Sequence, residues 1–165
     1  MDSNRVILGK RILIVDDEKD ILETLIDLLS VCKVDPASSF EEAKDLLEQF
    51  DYDLAVLDIM GVKGFELLEI ANKRNIPALI LTAHSLNEES LKKSVKEGAA
   101  YFVPKQEISE IATYVADVLE AKEKNKNPWE RWFKRLGSFF DVMFTGPNWR
   151  QQEKAFLEKL NKTEW

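Results

Sequence analysis

Apolar residues follow two rhythms along this chain. Short unbroken runs, Ile12–Val15, Leu54–Leu57, Ala78–Leu81 and Tyr101–Val103, alternate with stretches in which apolar positions recur every three or four residues. The runs predict short strands buried on both faces, and the three-to-four spacing predicts amphipathic helices. One predicted helix carries Ile21, Leu22, Leu25, Leu28 and Leu29. A second, N-capped by Ser39, carries Ala43, Leu46, Leu47 and Phe50. A third carries Phe65, Leu67, Leu68, Ile70 and Ala71, and a fourth runs from a cap at Asn87 through Lys96 to a stop at Gly98. A fifth is striped by Ile108, Ile111, Ala112, Val115 and Leu119. Val34–Ser38 is a weaker strand candidate between the first two helices. Five repeats of strand then helix predict an α/β fold, a doubly wound parallel sheet with right-handed crossovers and helices on both faces.

The pattern changes after Lys124. Asn127 and Pro128 read as N-cap and first helical position, and Trp129, Trp132, Phe133, Leu136, Phe140 and Met143 follow at helical spacing. Gly146-Pro147 stops that helix, and Asn148 opens another with Trp149, Gln152, Phe156, Leu157 and Leu160 on one face. The expected organisation is an arm over 1–9, an α/β domain over 10–124 and an aromatic helical hairpin over 125–165. A hairpin of that size cannot bury its own large aromatics. The leading expectation for their cover is a second copy of the chain, giving a homodimer. Next come the α/β domain itself or a partner protein, then a membrane surface, which a Trp/Phe face edged with Lys and Arg suits. Glu130, Asp141, Glu153 and Glu158 weigh against lipid, and nucleic acid ranks last.

Composition sharpens that division. The 165 residues carry a net charge of -7, which argues against a protein built for nucleic acid. The segment from Lys126 onward holds eight basic and five acidic residues and all four tryptophans, so an acidic body precedes a basic, aromatic tail. The single cysteine, Cys32, the lack of a signal-peptide pattern and the absence of any long apolar run lead us to expect a reduced, cytoplasmic setting.

In open parallel sheets, ligands sit beyond the carboxyl ends of the strands. Those ends here are Asp16 and Asp17, then Asp58, Thr82 and, just past the fifth strand, Lys105. Three acids on one rim need a counter-charge. A hard cation, Mg²⁺ or Mn²⁺, would suit Asp16 or Asp17 together with Asp58 and the backbone carbonyl of Met60. A carboxylate can also serve as nucleophile towards phosphorus, with the metal, the Lys105 amine and the Thr82 hydroxyl each meeting a phosphoryl oxygen. No glycine-rich phosphate loop or His/Cys metal spacing competes with that reading.

Four segments, Ile-Leu-Ile-Val-Asp-Asp-Glu, Leu-Ala-Val-Leu-Asp-Ile-Met, Leu-Ile-Leu-Thr-Ala and Gly-Ala-Ala-Tyr-Phe-Val-Pro-Lys, stand in this order over roughly residues 10–122. In this they resemble the receiver domains of two-component response regulators. The resemblance implies a flavodoxin-like five-stranded sheet in the order 2-1-3-4-5. It further implies that Asp58 is the phosphoacceptor, fed by a histidine kinase or phosphotransfer protein, with Asp16 and Asp17 holding Mg²⁺. Thr82 and Phe102 become switch residues and Lys105 the phosphate-binding amine, while Met60 and His84 tune phosphate lifetime. Two departures stand out. Asp58 reaches Gly64 in six positions, where the family usually takes some eight, and lacks the proline that usually follows the methionine there; and proline precedes Lys105 where the family usually has it after. The implied function is phosphorylation-dependent protein–protein interaction relayed by the C-terminal helices, without enzymatic turnover of a separate substrate. The alternatives are a phosphate-independent scaffold and an aspartyl-phosphate phosphatase.

Overall fold

The computed structural model describes residues 3–59, 62–82 and 88–143. A five-residue helix α1 (Ser3–Ile7) leads into β1 (Arg11–Val15), α2 (Lys19–Leu28), β2 (Lys33–Ala37), α3 (Phe40–Gln49) and β3 (Leu54–Asp58). There follow α4 (Gly64–Lys73), β4 (Ala78–Thr82), α5 (Glu88–Lys96), β5 (Tyr101–Pro104), a 3-10 turn (Lys105–Glu110), α6 (Ile111–Glu123) and α7 (Trp129–Met143). The strands form one sheet in the order β2-β1-β3-β4-β5, with every neighbouring pair parallel. Each residue of β3, β4 and β5 is buried, as continuous apolar strands covered on both faces require.

Side-chain chemistry explains where the elements stop. Ser39 caps α3 by accepting the Glu42 amide at 3.2 Å, and Glu42 Oε1 returns to the Ser38 amide at 2.8 Å. This is a capping box displaced by one residue on its return arm. Helices α4, α5 and α6 all end by a left-handed residue, Asn75, Gly98 and Asn125, at φ of 58°, 93° and 57°. After α6, the Lys126 amide reaches back to the Ala121 carbonyl at 2.7 Å and the Asn125 amide to Lys122 at 3.2 Å. That pair of bonds is a Schellman ending, and it turns the chain back so that α7 can lie against the domain.

The two sheet edges are protected differently. On the outer edge, β2 carries Lys33 and Pro36, residues that discourage pairing with another strand. The β5 edge is covered by α7. Trp129 donates its indole N–H to the Ala99 carbonyl at 3.1 Å, and Trp132 donates to Phe102 at 2.7 Å. Trp129, Trp132, Leu136 and Phe140 are buried within the main core, and Phe133 packs partly buried beside them. The ring of Trp129 stacks on Tyr101, and Phe140 lies 5.7 Å from Phe102. Asn127 caps α7 by accepting the Trp129 amide at 2.9 Å.

Several expectations are thereby corrected. The aromatics of the first tail helix are covered by the chain's own domain, so they do not need a second copy to leave water. The arm contains α1, whose Ile7 is fully buried and which packs along α6. Strand β2 lies one residue earlier than its sequence pattern, and the last domain helix begins at Ile111 after the 3-10 turn. The second tail helix, with Trp149 and Phe156, lies outside the described residues, as does Asn87. None of the described helices is long and apolar enough to cross a membrane. Because Trp132 combines full burial with a hydrogen bond, Trp132→Ala is expected to cost about 3–5 kcal/mol. Urea unfolding should show this as a lower midpoint.

Candidate functional site

Strand β1 delivers Asp16, β3 delivers Asp58 and β4 delivers Thr82 to one end of the sheet, because parallel strands point their carboxyl ends the same way. Lys105, the first residue after β5, completes the lip. Asp16, Asp17 and Asp58 can each present a carboxylate oxygen within 4.8 Å of the others. Asp16 and Asp58 are buried while Asp17 is exposed, so the cluster opens to solvent on one side. Lys105 Nζ stands 2.9 Å from Asp16 Oδ2 and 3.4 Å from Asp58 Oδ1. It also pairs with Glu18 Oε2 at 2.8 Å. Glu18 directly follows Asp17, yet nothing local marks it as a partner of a lysine 87 positions away.

Electrostatics shows an unbalanced site. Burial, followed by the neighbouring Asp16 charge, pushes Asp58 up to about 6, against the opposing pull of Lys105. Burial likewise raises Asp16, although Lys105 and the Glu18 amide oppose it. For Lys105, burial alone would lower the ammonium. Its hydrogen bonds to Asp16 and Glu18 and the charges of Asp58 and Asp16 outweigh that and hold it above its ordinary value. Of the buried oxygens here, Asp16 Oδ2 meets only Lys105 Nζ, at 2.9 Å, and Thr82 Oγ1 has no hydrogen-bond partner among the described residues. Unsatisfied buried polar atoms are costly. A divalent cation would share the charge of the Asp16 carboxylate, and an anionic group with several acceptor oxygens would take the Thr82 hydroxyl. The donor set, carboxylate oxygens with one open side, fits Mg²⁺ or Mn²⁺.

The short loop after Asp58 is held by close backbone packing. The Gly64 amide donates to the Ile59 carbonyl at 3.2 Å, and Lys63 starts α4 from a left-handed conformation, φ 54°. A Cβ at Gly64 would lie 2.1 Å from the Asp58 carbonyl oxygen and 2.8 Å from Ile59 Cα. Gly64→Ala would otherwise gain up to about 1 kcal/mol in helix propensity. Here the clash is with backbone that cannot rotate away, so a net loss of about 3 kcal/mol is expected, read as a lower urea midpoint.

Sequence-predicted residues thus divide as follows. Asp16, Asp17, Asp58, Thr82 and Lys105 converge on the lip. Phe102 is fully buried in the core under α7 rather than at the lip. Met60, with its carbonyl, and His84 lie outside the described residues.

Comparison with known proteins bears on the fold and the family. The model of the response regulator receiver domain matches residues 12–116. The two-component response regulator ARR18 of Arabidopsis thaliana is 32% identical over 104 residues, which is 59% of this chain and 16% of that protein. The heme response regulator HssR of Staphylococcus epidermidis is 29% identical over 118 residues, 68% of this chain and 53% of its own length. The chain therefore spans well under two thirds of these curated relatives. Among solved structures, the receiver domain of the Francisella response regulator 1452 is 26% identical with a TM-score of 0.62, covering 69% of this chain and 99% of that one. A CheY-like receiver domain from Methanospirillum hungatei is 27% identical with a TM-score of 0.58, covering 69% and 98%. With sheet order and family match in agreement over most of the chain, this protein belongs to the response regulator receiver domain family.

Proposed function

We propose that the chain is a signalling protein that accepts a phosphoryl group on Asp58 from the phosphohistidine of a histidine kinase or phosphotransfer protein. The observation that carries this reading is the meeting of Asp16, Asp17 and Asp58 with the Lys105 ammonium beside a Thr82 hydroxyl that has no partner among the described residues. We assign residues 10–124 to the receiver, 1–9 to an arm and 125–165 to an interaction module.

The Asp58 carboxylate attacks phosphorus and forms an O–P bond. The N–P bond of the donor breaks, and the imidazole leaves with the electron pair and takes a proton. Little acid–base help is needed; alignment and charge neutralisation dominate such transfers. A divalent cation held by Asp16, Asp17 and Asp58 would supply Lewis-acid neutralisation of the phosphoryl charge. Lys105 pairs with a phosphoryl oxygen and Thr82 donates its hydroxyl to another. The new charge then biases the β4–β5 end of the sheet, and the C-terminal helices convert that bias into altered protein contacts.

The test is incubation of the full chain with acetyl phosphate and Mg²⁺, followed by intact mass. A gain of one phosphoryl group, abolished by EDTA, is expected. No gain would leave a phosphate-independent scaffold, and continuous turnover of phosphomonoesters would indicate a phosphatase.

A further inference from the structure

Away from the lip, a dense set of polar groups gathers at the seam between α6 and α7. Asp117, buried on α6, accepts the Tyr101 hydroxyl at 2.7 Å. It also pairs with Arg135 and, at 3.4 Å, with Arg131. Arg131 in turn meets Glu120 at 2.8 Å. Both arginines belong to α7, and both acids belong to α6. The same helix holds the edge of β5 through the two indole N–H groups, at Ala99 and Phe102.

Strand β5 is thus gripped at both ends by different partners. The Phe102 carbonyl is held by Trp132 of α7. Three residues on, the Lys105 ammonium is held by Asp16, Glu18 and Asp58. Only Val103 and Pro104 lie between. Both are buried in the strand, paired with Leu81 and Thr82 of β4, and Pro104 has a ring-fixed φ of -71°. A segment this short and confined passes displacement from one grip to the other.

We propose that α7 is a releasable latch on the β5–α6 edge, coupled to the acidic lip, so that a phosphoryl group on Asp58 loosens its docking. This rests on the reading of Asp58 as phosphoacceptor. A phosphoryl dianion gives Lys105 a stronger partner than Glu18, and moving the ammonium shifts the end of β5. The indole hydrogen bonds depend on carbonyl direction and weaken with it. Release uncovers an apolar edge, with Tyr101 and Phe102, rimmed by Asp117 and Glu120. That surface suits an amphipathic helix carrying aromatic N–H donors and arginines, the chemistry α7 itself presents. Coupling between two binding events is reciprocal. Any perturbation that frees α7 therefore strengthens phosphoryl-group binding by the same factor that the group loosens α7.

The experiment uses the full chain with Mg²⁺ and trifluoroberyllate, a reversible phosphoryl mimic. Hydrogen exchange of the Trp129–Phe140 amides is followed by mass spectrometry, and mimic affinity by calorimetry. Exchange in α7 should accelerate about 10-fold on saturation, within the usual range of allosteric coupling. The double variant R131E/R135E, which sets like charges against Asp117 and Glu120, should show fast α7 exchange without the mimic and bind the mimic about 10-fold more tightly. Bound mimic with unchanged α7 exchange in the wild-type chain overturns the latch, whatever the variant does. So does a variant with freed α7 but wild-type mimic affinity. Absence of both mimic binding and acetyl phosphate labelling overturns the Asp58 reading itself, and the latch falls with it.

Discussion

Asp58→Asn is expected to abolish labelling by acetyl phosphate while making the metal-free protein more stable. The first half follows from chemistry, since an amide oxygen is too weak a nucleophile to replace the carboxylate. The second half follows from the cost of keeping that carboxylate ionised. Its rise from 3.8 to about 6 corresponds to on the order of 3 kcal/mol of unfavourable free energy at neutral pH. An asparagine removes the charge but remains desolvated, so a gain of about 1–2 kcal/mol is expected. The pH window has a definite sign. A carboxyl group raised on folding binds more protons in the folded than in the unfolded chain between pH 3.8 and about 6. Stability of the wild-type chain therefore falls across that window as pH rises, relative to Asp58→Asn. Urea unfolding in EDTA at pH 4 and pH 7 checks this, with the advantage of the variant present at pH 7 and absent at pH 4. Equal stability of both proteins at pH 7 would contradict the account of an overcharged lip.

Lys105→Met is expected to act in the opposite direction on stability and in the same direction on labelling. The methionine keeps most of the stem's packing but leaves Asp16, which is fully buried, and Asp58 without their shared cation. Breaking a buried ion pair by removing one partner costs about 3–5 kcal/mol. The loss should shrink below pH 6, where Asp58 takes up a proton and removes part of the repulsion, and should be partly restored by Mg²⁺. Labelling by acetyl phosphate should slow by roughly 10²–10³-fold, the usual effect of losing one preorganised group facing the transferring charge. Single-turnover mass measurements at saturating donor separate this from weakened donor binding.

The core of the fold was legible because its signals are local. Each of β3, β4 and β5 reads as an unbroken apolar run that leads directly to a lip residue, Asp58, Thr82 or Lys105. Legibility failed where the deciding contact is remote. Helix α1 is too short to show a period and is held by Ile7 and its packing along α6. Glu18 looks like any acid near the start of a helix, and only the folded chain brings Lys105 to it. The tail shows the same limit more clearly. Spacing identified Trp129, Trp132, Leu136 and Phe140 as one apolar face. It could not say what covers that face, because periodicity describes a helix and not its neighbour. Burial and the indole hydrogen bonds decide in favour of the chain's own sheet edge. Phe102 was read as a switch from family resemblance, and its place under Phe140 and Trp132 links it physically to α7.

The dependence of β5 on α7 has a consequence during protein synthesis. All five strands precede residue 105, but among the described residues the free edge of the last one is covered by a helix that ends at Met143. At about 5–20 residues per second, a ribosome needs a few seconds to add the stretch from Glu123 to Met143, and longer before it clears the exit tunnel. Throughout that interval the nascent chain displays an open strand edge of Tyr, Phe and Val. Newly made molecules of this protein are thus most vulnerable to sticking together in the interval between synthesis of β5 and docking of α7, when their sheet is already built.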